Sequence, residues 1–146
     1  MPGGVVGADI IAGFPGETEE DFAESCRVAD SGLMDYLHVF SYSDRPGTVA
    51  ADLAEKVAPE LIRERVTRLK QISAKRWRQA HHDQIGRCLE VISENRKADD
   101  GRFRAVADNY LRVRLPEGFS CGKKIVRVRP TVAFDEFADC EVIDQP

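Results

Sequence analysis

The stretch Val5-Val6-Gly7-Ala8-Asp9-Ile10-Ile11-Ala12-Gly13-Phe14-Pro15-Gly16-Glu17-Thr18 constrains the fold more than any other part of the chain. Val5 to Ile11, apolar apart from Asp9, is a run of strand length. It is too continuous for a strand with one wet face, and it predicts a parallel strand covered on both sides. Gly13-Phe14-Pro15-Gly16 stops the strand: the glycines allow backbone angles and close approaches that a Cβ forbids, and Pro15 fixes its own φ. Thr18-Glu19-Glu20-Asp21 then reads as a helix start, with a capping hydroxyl and three acids in the first turn. Strand, glycine loop and helix N-terminus together make the kind of strand end where α/β folds place their ligands. Taken alone, the same loop is also simply a tight βα turn.

The helix is expected over Glu19 to Ser31, with Phe22, Cys26 and Ala29 on its buried face. Met34 to Phe40 predicts a second strand, and the spacing fits a right-handed parallel crossover. Two parallel strands need further neighbours, so residues 1–84 are expected to be the end of a larger α/β domain. Ser41 to Leu53 reads as a loop at the carboxyl end of the second strand, on the same rim as Gly13 to Glu17. Pro59 opens a long helix, expected to reach Gln84, with an apolar stripe of Ile62, Val66, Leu69, Ile72 and Ala80. Its basic remainder is either a solvated face or a ridge beside a polyanion. Trp77 is expected to pack at the end of this helix. His81 and His82 point about 100° apart on a helix and have no partner ligand at metal-binding spacing.

From Gly86 onward the apolar period is two. Strands are expected at Arg87–Glu94, Phe103–Ala107, Tyr110–Leu115, Lys123–Arg129 and Ala138–Ile143, with a turn at Ala98-Asp99-Asp100-Gly101. In the third of these, Leu111, Val113 and Leu115 form one face and Tyr110, Arg112 and Arg114 the other. Such a set predicts a small antiparallel barrel of OB-like shape over residues 85–146.

Charge supports the division. Residues 1–57 hold 11 acids against 3 bases, whereas residues 86–130 hold 11 bases against 6 acids. The basic segment suits a polyanion. Arg102, Arg104, Arg112, Arg114, Lys123, Arg127 and Arg129, interleaved with Phe103 and Tyr110, are either ordinary charged strand faces or a phosphate-gripping, base-stacking surface. Cys26, Cys88, Cys121 and Cys140 form no close-spaced unit, and their spread suits reduced thiols in a reducing compartment. No apolar run has the roughly 20 residues of a membrane helix. With no secretory leader in view, a cytoplasmic location and no membrane partner are expected.

Several of these segments resemble a known family. Asp9-Ile10-Ile11-Ala12-Gly13-Phe14-Pro15-Gly16-Glu17-Thr18 resembles the fifth-strand motif of radical S-adenosylmethionine (SAM) enzymes, in the wording of the methylthiotransferase branch. Leu37-His38-Val39-Phe40-Ser41-Tyr42-Ser43-Asp44-Arg45-Pro46-Gly47-Thr48-Val49-Ala50 looks like the sixth-strand signature of tRNA methylthiotransferases, with Ser41 where that family usually has proline. His38-Val39-Phe40 is closest to the subgroup that acts on N6-threonylcarbamoyladenosine at position 37 of tRNA; isopentenyladenosine is the other substrate considered. Gly86 to Glu94, Gly101 to Arg104, Asn109 to Val113 and Gly122 to Val128 resemble the TRAM domain, the RNA-binding barrel that follows in these enzymes.

The resemblance implies the last two βα units of a radical-SAM partial barrel over residues 1–84, followed by a TRAM domain over 85–146. It implies SAM and two 4Fe–4S clusters as cofactors, tRNA as partner, and insertion of sulfur and a methyl group at C2 of the modified adenosine. Gly13, Phe14 and Pro15 would form the SAM-facing turn. His38, Phe40 and Tyr42 would line its adenine side, although His38 also reads as a buried strand histidine. Arg45 would meet a carboxylate or a phosphate. Glu17 is either a polar contact or a partner of the helix dipole. Arg102, Arg104, Tyr110, Arg112, Arg114, Lys123 and Arg127 would bind RNA. The cysteine sets that such clusters need are absent from this sequence, so the chain alone is expected to be inactive and to depend on cluster-bearing domains elsewhere.

Overall fold

The computed structural model describes residues 3–119 and 122–144; Cys121, one of the four thiols, lies outside them. The chain divides into two units, one of Val6–Arg76 and one of Trp77 onward together with the first residues.

The first unit runs β1 (Gly7–Ala12), α1 (Glu19–Asp30), β2 (Tyr36–Ser41), α2 (Val49–Asp52) and α3 (Pro59–His82), the last turns of α3 belonging to the second unit. β1 and β2 pair in parallel, from Gly7 opposite Tyr36 to Ala12 opposite Ser41. Thr18 caps α1 through a capping box: its hydroxyl accepts from the Asp21 amide at 3.1 Å, and the Asp21 carboxylate accepts from the Thr18 amide at 3.0 Å. That hydroxyl contact and the backbone one hold the Asp21 carboxyl below the usual range. Phe22, Cys26 and Ala29 of α1 and Leu69 of α3 pack with Ala12, joined by Ile10, Leu37, Val39, Val66 and Ile72.

Only one face of this two-stranded sheet is covered. Asp9, Ile11, His38 and Phe40 lie on the other face and are exposed. The expectation of a strand sheltered on both sides therefore does not hold within this chain, because α1 and α3 both pack on the Ile10 and Ala12 face. The segment after β2 is also more ordered than a loop: Thr48 caps the short α2, its hydroxyl accepting from the Ala51 amide.

The second unit is a closed barrel of β3 (Leu89–Lys97), β4 (Phe103–Ala107), β5 (Arg112–Arg114), β6 (Ile125–Ala133) and β7 (Ala138–Asp144), ordered β3-β4-β5-β7-β6. Its interior holds Val91, Ala105, Ala107, Val113, Leu115, Val126, Val128, Ala138 and Cys140, with Phe103 packed against them. The inward alternation of Val113 and Leu115 is as the sequence implies. The pairing is not antiparallel throughout, since β5 and β7 run parallel. Strand directions cannot alternate all the way round a ring with an odd number of members, so closing five strands forces one parallel pair.

Candidate functional site

Two surfaces carry the candidate residues, one in each unit. In the first unit the parallel register places the loops after β1 and β2 side by side. The Tyr42 amide donates to the Ala12 carbonyl at 2.9 Å. The Phe14 and Tyr42 rings meet edge to face with centroids 5.4 Å apart. Phe14-Pro15-Gly16-Glu17 is a turn closed by the Glu17 amide on the Phe14 carbonyl at 2.9 Å, with Gly16 at φ +84°. Proline followed by a positive-φ glycine is the signature of a type II turn. Gly13 is required for two reasons: its φ is +82°, and an added Cβ would lie 2.4 Å from Ile62 of α3. Gly13 and Pro15 are buried and Phe14 projects, so Phe14 is the side chain that this turn offers to a ligand.

Glu17 points inward. It is 11% exposed, and its Oε2 accepts from the Gly13 amide at 2.7 Å and from Arg65 Nη1 at 2.7 Å. Arg65 is 2% exposed and also donates to the carbonyls of Glu17 and Thr18 and to the Glu19 carboxylate. Its guanidinium lies over the Phe22 ring, 5.1 Å from the centroid. Burial pulls the Arg65 pKa down, but hydrogen bonds to Glu19 and Glu17 outweigh it and the net direction is up. Glu17 thus braces the turn from within. Sequence reasoning missed Arg65, although it falls on the apolar stripe between Ile62 and Leu69. An arginine on a buried stripe signals a buried acid.

His38 and Phe40 stand exposed on the open face of the sheet, His38 edge-on to Tyr36 with centroids 5.2 Å apart. A buried strand histidine is therefore not what this position holds. At the rim the Tyr42 hydroxyl donates to Asp44 at 2.9 Å, and Lys56 bridges Asp44 and the carbonyls of Ala50 and Ala51. The Lys56 contact, then that of Tyr42, lowers the Asp44 pKa; burial and the Asp44 contact raise that of Tyr42. Arg45 is exposed on the same loop, and its side chain has no partner among the described residues. The surface is an open face of mixed polarity, with Asp9 and His38 beside Ile11 and Phe40, bordered by the Phe14 and Tyr42 rings and by the Arg45 guanidinium.

In the barrel the candidate cations sort into two groups. Arg102 and Arg114 share Asp100 and Asp139: Arg102 meets Asp100 at 2.8 Å, and Arg114 meets Asp100 and Asp139 at 2.7 Å each. Arg114 also lies over the Phe137 ring at 4.2 Å. This network ties β5 to β7 where only two residue pairs make the parallel contact. Asp100 is held below the ordinary carboxylate range, chiefly by its Arg102 contact. Arg127 pairs with Asp144, and Arg129 with Glu141. Arg104, Arg112 and Lys123 have no side-chain partner among the described residues. Tyr110 is 74% exposed.

No group of three His, Cys, Asp or Glu side chains placed to hold a metal occurs among the described residues. Cys26 and Cys140 are buried and Cys88 is exposed. Burial, then the Asp139 charge, pushes the Cys140 thiol up to about 12. These thiols do not fit an iron–sulfur cluster, which takes grouped thiolates. Among the described residues no helix is long and apolar enough to cross a membrane.

No family model matches the chain. It is 37% identical over 124 residues to a tRNA-2-methylthio-N(6)-dimethylallyladenosine synthase of Clavibacter sepedonicus, covering 81% of this chain and 23% of that protein. The synthase of the same name from Acidothermus cellulolyticus is 38% identical over 151 aligned positions, covering 99% of this chain and 29% of the relative. A threonylcarbamoyladenosine tRNA methylthiotransferase of Bacillus subtilis is 36% identical over 135, covering 88% and 29%. The homologues are thus tRNA methylthiotransferases of two named kinds, and the chain spans about a quarter of their length.

Proposed function

We propose that this chain is part of a tRNA methylthiotransferase, supplying one wall of the SAM pocket and a barrel that holds the tRNA. The observation that carries this reading is the similarity running without a change of family through both units, 99% of the chain in one relative. In this reading the first unit belongs to a radical-SAM domain and the second is a TRAM domain, and the enzyme works in the cytoplasm. SAM, activated at a 4Fe–4S cluster, supplies the radical chemistry and the methyl group; the cluster ligands lie outside these residues. The chain's own residues bind and orient. Phe14, Phe40, Tyr42 and His38 offer flat faces to an adenine, and Arg45 offers a guanidinium to the carboxylate of an amino-acid ligand. Glu17 and Arg65 hold the Gly13 turn in the conformation that presents Phe14. Water exclusion over the open face falls to the remainder of the enzyme.

The substrate is an N6-modified adenosine at position 37 of tRNA. The His38-Val39-Phe40 wording favours the threonylcarbamoyl form, and the names of the Clavibacter and Acidothermus relatives favour the dimethylallyl (isopentenyl) form. Mass spectrometry of tRNA nucleosides from a strain lacking the gene separates the two. Loss of the 2-methylthio group from one modified adenosine identifies the substrate, and an unchanged nucleoside profile refutes the reading. A standalone RNA-binding module would also leave the profile unchanged, while its purified chain would still bind RNA.

A further inference from the structure

The outer face of β3, β4, β5 and β6 carries a row of paired residues. Ile125 lies opposite Ile92, Ile92 opposite Val106, and Val106 opposite Arg112. Ile92 is 56% exposed and Ile125 is also exposed, an unusual placement for two adjoining isoleucines. With Tyr110 they border a depression of about 520 Å³. Tyr110 has a φ of +66°, the positive-φ residue in the described part of the chain that is not glycine. Such a conformation is costly for a bulky residue and persists only where surrounding bonds impose it. Here they do: the Tyr110 amide donates to the Ala107 carbonyl, the Ala107 amide to the Leu111 carbonyl, and the Leu111 amide to Asn109 Oδ1. The strained turn holds out an exposed aromatic ring beside an apolar strip.

Arg112 ends this row, and Arg104 is its diagonal neighbour, since Arg104 lies opposite Arg114 and Val106 opposite Arg112. Diagonal pairs sit roughly 7–8 Å apart. Neither guanidinium is neutralised within the described residues, unlike Arg102, Arg114, Arg127 and Arg129. Glu90, Glu94 and Asp108 also line this depression and repel phosphate there. Arg104 and Arg112 line the adjoining one with Asp99, Asp100 and Glu136, so phosphates are held on the arginine side alone. A ligand that suits the face has flat apolar surfaces on one side and regularly spaced anions on the other. An unpaired polynucleotide has that form; a duplex hides its base faces.

We propose that the β3–β4–β5 face is an RNA subsite specific for unpaired nucleotides, in which Tyr110 stacks a base against Ile92 and Val106 while Arg112 and Arg104 take the neighbouring phosphates. The proposal rests on the RNA-binding reading above and specifies its strand state and its residues. The test is fluorescence anisotropy of the 146-residue chain with an unpaired RNA of about 12 nucleotides, within the ~4–16 covered by OB-type barrels, and with the same strand in a duplex. The unpaired strand binds more tightly. Tyr110→Asn, which keeps a residue tolerant of positive φ, weakens that binding about tenfold or more and leaves duplex binding and the salt slope unchanged. Tyr110→Trp retains tight binding. The double variant Arg104→Gln with Arg112→Gln lowers the slope of log affinity against log salt by about 1.4, at ~0.7 per phosphate contact. Unaltered binding of unpaired RNA by Tyr110→Asn and by the double arginine variant overturns the subsite and leaves RNA binding standing. Equal affinity for duplex overturns the strand preference. A chain that binds neither probe overturns the subsite and the RNA-binding reading together.

Discussion

Replacing Arg65 with methionine tests whether the Gly13–Glu17 turn is held from within. The guanidinium is 2% exposed and makes four hydrogen bonds, two to Glu17, one to the Thr18 carbonyl and one to Glu19. Glu19 is 70% exposed, so that arm is worth about 0–1 kcal/mol. The larger cost comes from Glu17, whose buried carboxylate would keep only the Gly13 amide as a partner. Removing one member of a buried pair typically costs about 3–5 kcal/mol. One feature moderates this: Arg65 Nε is buried without a partner, so the intact network is not fully satisfied. We expect Arg65→Met to cost about 3 kcal/mol, against a total of roughly 5–15 for a typical domain. Glu17→Gln, which keeps an acceptor for Gly13, should cost about 1–3 kcal/mol. The double variant should cost less than the sum, because no unpaired charge remains buried. Urea melts followed by circular dichroism give the energies, and hydrogen exchange at the Gly13 amide gives the local effect. A cost below about 1 kcal/mol for Arg65→Met, with Gly13 protection unchanged, would refute the reasoning.

Three other perturbations report on separate parts of the chain. Gly13→Ala meets both a φ of +82° and a 2.4 Å approach to Ile62, and should cost more than about 2 kcal/mol in a urea melt; Ile62→Ala in the same chain should recover only the steric part. His81 is buried, its Nδ1 bonded to the Trp77 carbonyl at 2.9 Å and its Nε2 without a partner. Burial lowers its pKa below the ordinary imidazole value, and the nearby Arg112 charge adds to this against the opposing Trp77 bond. The unfolded chain therefore takes up the proton first. Stability is full above about pH 6.5 and falls as pH drops toward the folded value, a fall that His81→Gln should flatten in urea midpoints between pH 7.5 and 5.5. Iodoacetamide at pH 8 should label Cys88, which is exposed, and spare Cys140, whose buried thiol is pushed up to about 12, as read by peptide mass spectrometry.

Much of the architecture is legible because it depends on neighbouring residues. The Thr18 cap, the Phe22, Cys26 and Ala29 face, the Pro15-Gly16 turn and the inward set Val113 and Leu115 each follow from spacings of two to four positions. Parallel pairing adds the convergence of the two rims, since the ends of parallel strands must lie together. That some parallel pair must occur follows from an odd number of closed strands, but that it joins β5 to β7 is decided by the strand order of the closed barrel. The candidate cations were less legible. Their alternation marks which face they occupy, but Arg102 and Arg114 are neutralised by Asp100 and Asp139, and Asp139 is more than twenty residues from either.

The amino-acid order by itself thus determined most of the helices and strands and the inward sets of α1 and the barrel strands, since propensity, capping and periodicity act along the chain. Tertiary structure alone decided which polar groups remain available. Arg65 and Glu17 were sealed in, Arg104 and Arg112 left unpaired among the described residues, and Tyr110 held outward in a strained turn. A charge is neutralised by whatever lies within a few ångströms of it, and distance in space is set by closure of the fold rather than by separation in sequence.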